Sequence, residues 1–269
     1  MTPLRFSQRW ISGGTLSSDG ARGIALAVLL LGTTAFAWLG VVRADAAMQM
    51  THEVEPLSFA DAIAFTLQWG VMMTAMMLPS ATPMISLYRT VSRRLGGSNE
   101  RVIPAEVFAL TYVALWLLTG VPVYAASAAA SELAVRSVTF AAAMPYAIAG
   151  TLFAAGVYQL SPAKRVCLRQ CEAPLDFLVR RWRGGYVASL RLAATHAAYC
   201  IGCCWALMLV LVVAGAMSLP WVLAIALVVF AEKVLPGGER TARIVGATLI
   251  AAGLAVALRP ELAGVLRAH

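Results

Sequence analysis

Apolar residues along this chain collect into long runs, and charged residues fall almost wholly between them. A helix needs about 20 apolar residues to cross a hydrocarbon layer. Runs that approach or reach that length stand at about 24–42, 59–78, 105–127, 138–160, 190–216, 219–235 and 242–258. The stretch 80–92 follows Pro79 and contains Pro83, so it reads as a broken or interfacial continuation of the second run. The period-two alternation of barrel strands is absent. The pattern predicts an all-α polytopic membrane protein, a single bundle of about seven transmembrane helices. Its expected organisation is a basic N-terminal stretch 1–23, one transmembrane domain 24–258, and a C-terminal tail 259–269. The first run lacks a small-residue cleavage site and reads as a retained helix rather than a signal peptide. The Pro236-Gly237-Gly238 run reads as a real turn between the last two spans.

Charge orients this bundle. With the N-terminus placed inside, only Arg43, Arg136, Arg259 and Arg267 of the 21 Lys and Arg residues fall outside. Positively charged loops stay in the cytoplasm, so the expected topology is N-terminus in and C-terminus out, in the inner (cytoplasmic) membrane. Composition agrees. Hydrophobic residues make up 60% of the chain and charged residues 13%, with a mean hydropathy of +0.77, whereas soluble domains carry about 25% charged residues. The net charge of +8 thus reads as topology, and no nucleic-acid partner is expected. The inside loop 161–189 is basic with apolar residues at helical spacing, and is expected to lie along the membrane surface.

Chemistry concentrates in T-H-A-A-Y-C-I-G-C-C-W, residues 195–205. At about 100° per residue, Cys200, Cys203 and Cys204 fall within about 80° of His196, so all four share one face of the fifth span. A second cluster lies in the second span, where Met72, Met73, Met76 and Met77 form two adjacent pairs one turn apart. The two spans run in opposite directions and carry these groups at one depth, toward the cytoplasmic side. Methionine stripes are common core filler. Thiolate and thioether together select soft ions such as Cu(I), while zinc accepts Cys and His but gains nothing from Met. Copper is therefore the expected ion, with zinc the alternative.

Other candidates flank this centre. Glu232 and Lys233 sit at the inner end of the sixth span, where an ionisable residue is a functional candidate by default. Glu232 reads as a ligand or as the partner that orients His196, or else as half of an interfacial pair with Lys233. Cys167 and Cys171 in the inside loop are spaced to meet on one side of a helix, as metal-transfer thiols, a redox pair or two unconnected thiols. All five cysteines map to the reducing side, where structural disulfides are disfavoured. Met48, Met50, His52, Glu53 and Glu55 follow the first span, as a weak outer capture site or a solvated acidic loop. No G-x-x-x-x-G-K-S/T nucleotide loop, no D-K-T-G phosphorylation motif and no Ser-His-Asp set stands out.

The runs W-G-V-M-M-T-A-M-M-L-P-S, Y-Q-L-S-P-A-K-R-V-C-L-R-Q-C, H-A-A-Y-C-I-G-C-C-W-A-L-M and A-E-K-V-L-P-G-G occur in this order. Together they resemble a bacterial domain-of-unknown-function family described as predicted metal-binding integral membrane proteins. The resemblance covers about residues 60–240. It implies a heavy-metal-linked membrane protein, first of all for copper, with the Met, Cys and His positions above as ligands.

The reading that follows is a membrane protein that receives, holds or translocates Cu(I). Its partners are the metal, the bilayer, and a metallochaperone or membrane complex. The competing reading is an enzyme: a membrane dithiol oxidoreductase using the Cys200-x-x-Cys203 pair, or a copper-dependent redox subunit. A purely structural subunit is the third reading.

Overall fold

The computed structural model describes residues 16–48, 58–95, 102–215 and 218–267. Met50, His52, Glu53 and Glu55, with the N-terminal Arg5 and Arg9, lie outside the described residues. Among those described, every regular element is a helix: α1 (Leu16–Met48), α2 (Phe59–Leu95), α3 (Ala105–Leu118), α4 (Gly120–Arg136), α5 (Val138–Leu160), α6 (Pro162–Glu172), α7 (Pro174–Arg181), α8 (Tyr186–Gly215), α9 (Leu219–Val234), α10 (Gly238–Leu258) and α11 (Leu262–Arg267).

Six helical segments are long and apolar enough to cross a membrane: Gly23–Ala46, Phe59–Arg93, Ala105–Arg136, Val138–Leu160, Tyr186–Ala214 and Gly238–Leu258. The seventh expected span, 219–235, is α9, which has 16 residues. At 1.5 Å per residue it reaches about 24 Å, short of a hydrocarbon core of about 30 Å. It nevertheless runs between the two ends of the bundle. The backbone N–H of Leu219 donates to Asp45 at the end of α1 (3.2 Å), and Glu232 meets α6 at the opposite end.

α2 departs from the sequence expectation. It continues as one helix of 37 residues through Pro79 and Pro83, so 80–92 is neither broken nor interfacial. Each proline removes a donor, to the carbonyls of Ala75 and Pro79. Neighbouring hydroxyls add bonds to the carbonyls in between, Ser80 Oγ donating to that of Met77 (2.9 Å) and Thr82 Oγ1 to that of Leu78 (2.9 Å), and leave the two freed carbonyls as they are. Packing supplies the rest, since Leu78, Ala81, Met84 and Ile85 are all buried. The expected span 105–127 is two helices meeting at Thr119. There the Trp69 indole N–H of α2 donates to the threonine hydroxyl (2.9 Å), and Gly120 lies against the same indole.

Small residues bring α5 and α10 together. A Cβ on Gly253 would lie 2.8 Å from the Ala149 carbonyl oxygen, and one on Gly156 2.6 Å from that of Gly246. Both obstacles are backbone and cannot step aside, and small residues at close helix contacts are the usual solution in lipid. The turn expected at 236–238 is present, with Gly237 at φ 91°, a left-handed conformation that glycine adopts without strain.

The loop 161–189 does more than lie along a surface. α6 and α7 fold under the end of the bundle and bury Lys164, Leu168, Phe177 and Leu178. Lys164 donates to Glu232 of α9 at 2.6 Å, with both side chains fully buried, and Gln159 Nε2 of α5 donates to the other Glu232 oxygen (2.8 Å). Arg181 of α7 bonds Gln170 (2.9 Å) and the Tyr199 hydroxyl of α8 (3.0 Å). Most basic residues sit at this end, among them Arg89, Arg165, Arg169, Arg183, Arg191, Arg240 and Arg243. Arg43, Arg136 and Arg259 lie at the other.

Two stability outcomes follow. Gly253→Leu pushes a side chain into backbone and should lower thermal stability in detergent by at least about 1–3 kcal/mol. Lys164→Met strands a buried carboxylate and should cost about 3–5 kcal/mol, whereas Lys164→Met with Glu232→Leu should recover most of that loss. A double variant as unstable as the single one would show that the charges themselves are not what α6 depends on.

Candidate functional site

α8 presents Cys200, Cys203 and Cys204 toward the interior, all buried, as the helical spacing predicts. Cys203 Sγ lies 3.3 Å from Cys204 Sγ and 3.1 Å from the Cys200 carbonyl oxygen. From below, Cys171 of α6 brings its Sγ to 3.9 Å from that of Cys203. Two thiolates sharing one ion at about 2.3 Å in tetrahedral geometry stand about 3.8 Å apart. The Cys171–Cys203 spacing of 3.9 Å is in that range, and it joins a loop thiol to α8. Cys167, one turn before Cys171, has its Sγ where it would stand 3.0 Å from a Cβ on Gly202. The absent side chain at 202 is what lets α6 come this close. Burial pushes the Cys167 thiol up, with Lys164 opposing. It is therefore protonated at neutral pH, and a metal binding there displaces a proton.

Cys200 faces a different set. The Tyr112 hydroxyl of α3 lies 2.8 Å from its Sγ, and the Lys233 ammonium of α9 donates to it at 2.9 Å. The same Nζ lies 3.7 Å from Met77 Sδ of α2. Three helices thus meet at one sulfur, and the fourth, α2, joins them through Lys233, so Met77 and Cys200 lie on either side of one ammonium. Met72, Met73 and Met76 are also buried, but Met72 lines a crevice against α1 with Gly40, Val41 and Gln68. Met77 is linked to the cysteines through the Lys233 ammonium, which touches both Met77 Sδ and Cys200 Sγ.

His196 is buried one turn before Cys200 inside an aromatic box. Its ring lies 5.7 Å from Tyr112, 6.2 Å from Phe108 and 5.6 Å from Phe177, centroid to centroid. Its Nδ1 has no hydrogen-bond partner. Glu232 does not orient it, because that carboxylate is held by Lys164 and Gln159. Nor does Glu232 pair with Lys233. Consecutive helical side chains diverge by about 100°, so one faces α5 and α6 while the other faces α2 and α8.

Sequence reading did not single out Tyr112, Gln159 or Lys164, and placed Lys233 only as a partner of its neighbour. Tyr112 lies in an otherwise apolar helix, and Lys164 looks like any residue of a basic loop. Only burial separates them from their surroundings.

Among the described residues, no three His, Cys, Asp or Glu side chains form a ready-made metal cage. What the fold provides is a short file of sulfur donors, from Cys167 through Cys171, Cys203 and Cys204 to Cys200 and Met77. No curated protein matches the chain, and no solved structure does. A family model described as PpoB2, copper chaperone, matches residues 66–256, which contain all four sequence runs quoted above. That match covers well over half of the chain, which therefore belongs to the PpoB2 copper chaperone family.

Proposed function

We propose that this chain is a multi-pass protein of the bacterial inner membrane that takes up Cu(I) as cargo, holds it among sulfur donors and passes it on. In this reading seven segments cross the bilayer, α9 as a short one. The α6–α7 end faces the cytoplasm and α11 the outside. The observation that carries the proposal is the meeting of Cys171 with Cys203 at 3.9 Å, with Cys204 a further 3.3 Å from Cys203. A thiol outside the spans and thiols inside one can share a soft ion only if the loop helix is folded under the bundle. Buried thiolates with a nearby thioether favour Cu(I) over harder ions. Zinc is the second ion, which accepts thiolate and imidazole but gains nothing from a thioether. The unpartnered His196 nitrogen suits a ligand role that a modest ring movement completes, and Met72, Met73 and Met76 continue the soft lining deeper along α2.

A chaperone has to release what it binds. A file of sulfur sites, each incomplete alone, suits stepwise exchange better than a closed four-ligand cage does, since structural sites of that kind hold their metal as part of the fold.

The dithiol reading has a geometric basis as well, though not the one expected from the C-x-x-C spacing. The thiols that meet across two elements are Cys171 and Cys203, and an oxidoreductase built here would cycle that pair.

One titration separates these readings. Anaerobically purified protein should bind Cu(I), and Cys171→Ser with Cys203→Ser should lose about one equivalent per chain. Met77→Leu should keep that equivalent but weaken it roughly tenfold, about 1.4 kcal/mol. Full metal loading in the double serine variant would overturn the shared-thiol site. A metal-free wild type that instead yields a Cys171–Cys203 disulfide by mass spectrometry would leave the oxidoreductase reading in front.

A further inference from the structure

Lys233 is a buried ammonium whose close contacts are sulfur rather than carboxylate. Among the described residues the ion pairs use Lys164, not Lys233, against Glu232. Lys233 Nζ instead lies 2.9 Å from Cys200 Sγ and 3.7 Å from Met77 Sδ, with 6% of the residue exposed. An ionisable group this deep in an apolar bundle is costly to place and marks function by default. A lysine needed only to cap a helix end would reach toward the aqueous surface, as long basic side chains do. This one reaches inward, to the sulfurs that sequence and geometry both nominate for a soft ion.

We propose that the Lys233 ammonium is a resident counter-cation of the copper site, holding the place beside Cys200 and Met77 that Cu(I) takes. On loading, the tethered Lys233 side chain swings its ammonium off Cys200 and Met77 toward the aqueous end of α9, and on release it swings back, so one univalent cation takes the place of the other. This rests on the copper-cargo reading given above. The Tyr112 hydroxyl holds Cys200 from a second side at 2.8 Å, so the sulfur stays in position while the cation beside it changes. Two positive charges within about 4 Å repel strongly in a poorly polarisable interior, so copper and ammonium cannot both occupy the position. The competition weakens copper binding, which is what a protein that must give up its cargo requires. It also keeps the buried charge constant when Cu(I) replaces the ammonium, whereas a divalent ion adds one unit. Lys233 thereby sets both the ease of release and the preference for a univalent ion.

The test is Cu(I) affinity, measured anaerobically by competition with a chromophoric Cu(I) chelator, for wild type, Lys233→Met, Lys233→Gln and Lys233→Arg. Removing the charge should tighten Cu(I) binding at least tenfold in the Met and Gln variants and slow transfer to the chelator by a similar factor. The Arg variant, which keeps the charge, should stay within about threefold of wild type. Loss of a merely structural lysine would loosen the site and weaken binding, so tightening is the diagnostic sign. Unchanged or weaker binding in a folded Met or Gln variant overturns the proposal. The two neutral side chains differ in polarity, and either one that folds suffices. Should both fail to fold, Lys233→Ser decides by the same measurement: tighter binding supports the proposal, and unchanged or weaker binding overturns it. Absence of Cu(I) binding in wild type would instead remove the copper reading itself.

Discussion

The geometry of the site depends on one buried ion pair. Lys164 and Glu232 meet at 2.6 Å with neither side chain exposed, and Gln159 holds the second carboxylate oxygen. Three elements, α5, α6 and α9, are fixed by this contact. α6 carries Cys167 and Cys171, and α9 carries Lys233, the residue after Glu232. Such a pair contributes little net stability, because desolvation of both charges offsets their attraction. Its value is positional: with each charge bound to the other, α6 has one depth and one rotation beneath the bundle. Those two settings decide whether Cys171 reaches Cys203.

Above this clamp the interior changes character. Toward the α6–α7 end the buried charges are the paired Lys164 and Glu232. One turn deeper they are sulfur, with a phenol and a single ammonium among them. Soft donors are tolerated in an apolar interior because thiols and thioethers carry little desolvation cost until a metal arrives. The chain thus keeps a reactive lining inside a bundle that packs as ordinary protein. The aromatic box around His196 closes the lining on the side of α3 and α7.

Much of this was legible in the sequence, and the reasons differ by element. Long apolar runs announce long helices, and α5 begins and ends where hydropathy puts it, at Val138 and Leu160. The helical face shared by Cys200, Cys203 and Cys204 follows from spacing alone. α2 was less legible, since two prolines within five residues normally end a helix. What carries it through is packing on both sides, a non-local fact. The partner of Glu232 was not legible either. Its sequence neighbour Lys233 is the obvious candidate, and the true partner stands 68 positions away on a loop helix. Local pattern gives the direction of a side chain, but its partner depends on which helices pack together. The family match gives copper as the theme, and the residues that would meet it come from the geometry.

The prolines of α2 carry one more consequence. Pro79 and Pro83 leave the carbonyls of Ala75 and Pro79 without their helical donors, so the rod has lost two of its internal ties just beside Met77. A helix bends most readily where its ladder is interrupted. The mechanical compliance of α2 is therefore concentrated next to Met77, whose sulfur lies beside Lys233. In the copper reading proposed above, a thioether mounted on such a joint would follow an ion over a short distance, and then let go of it, without the rest of the bundle having to move.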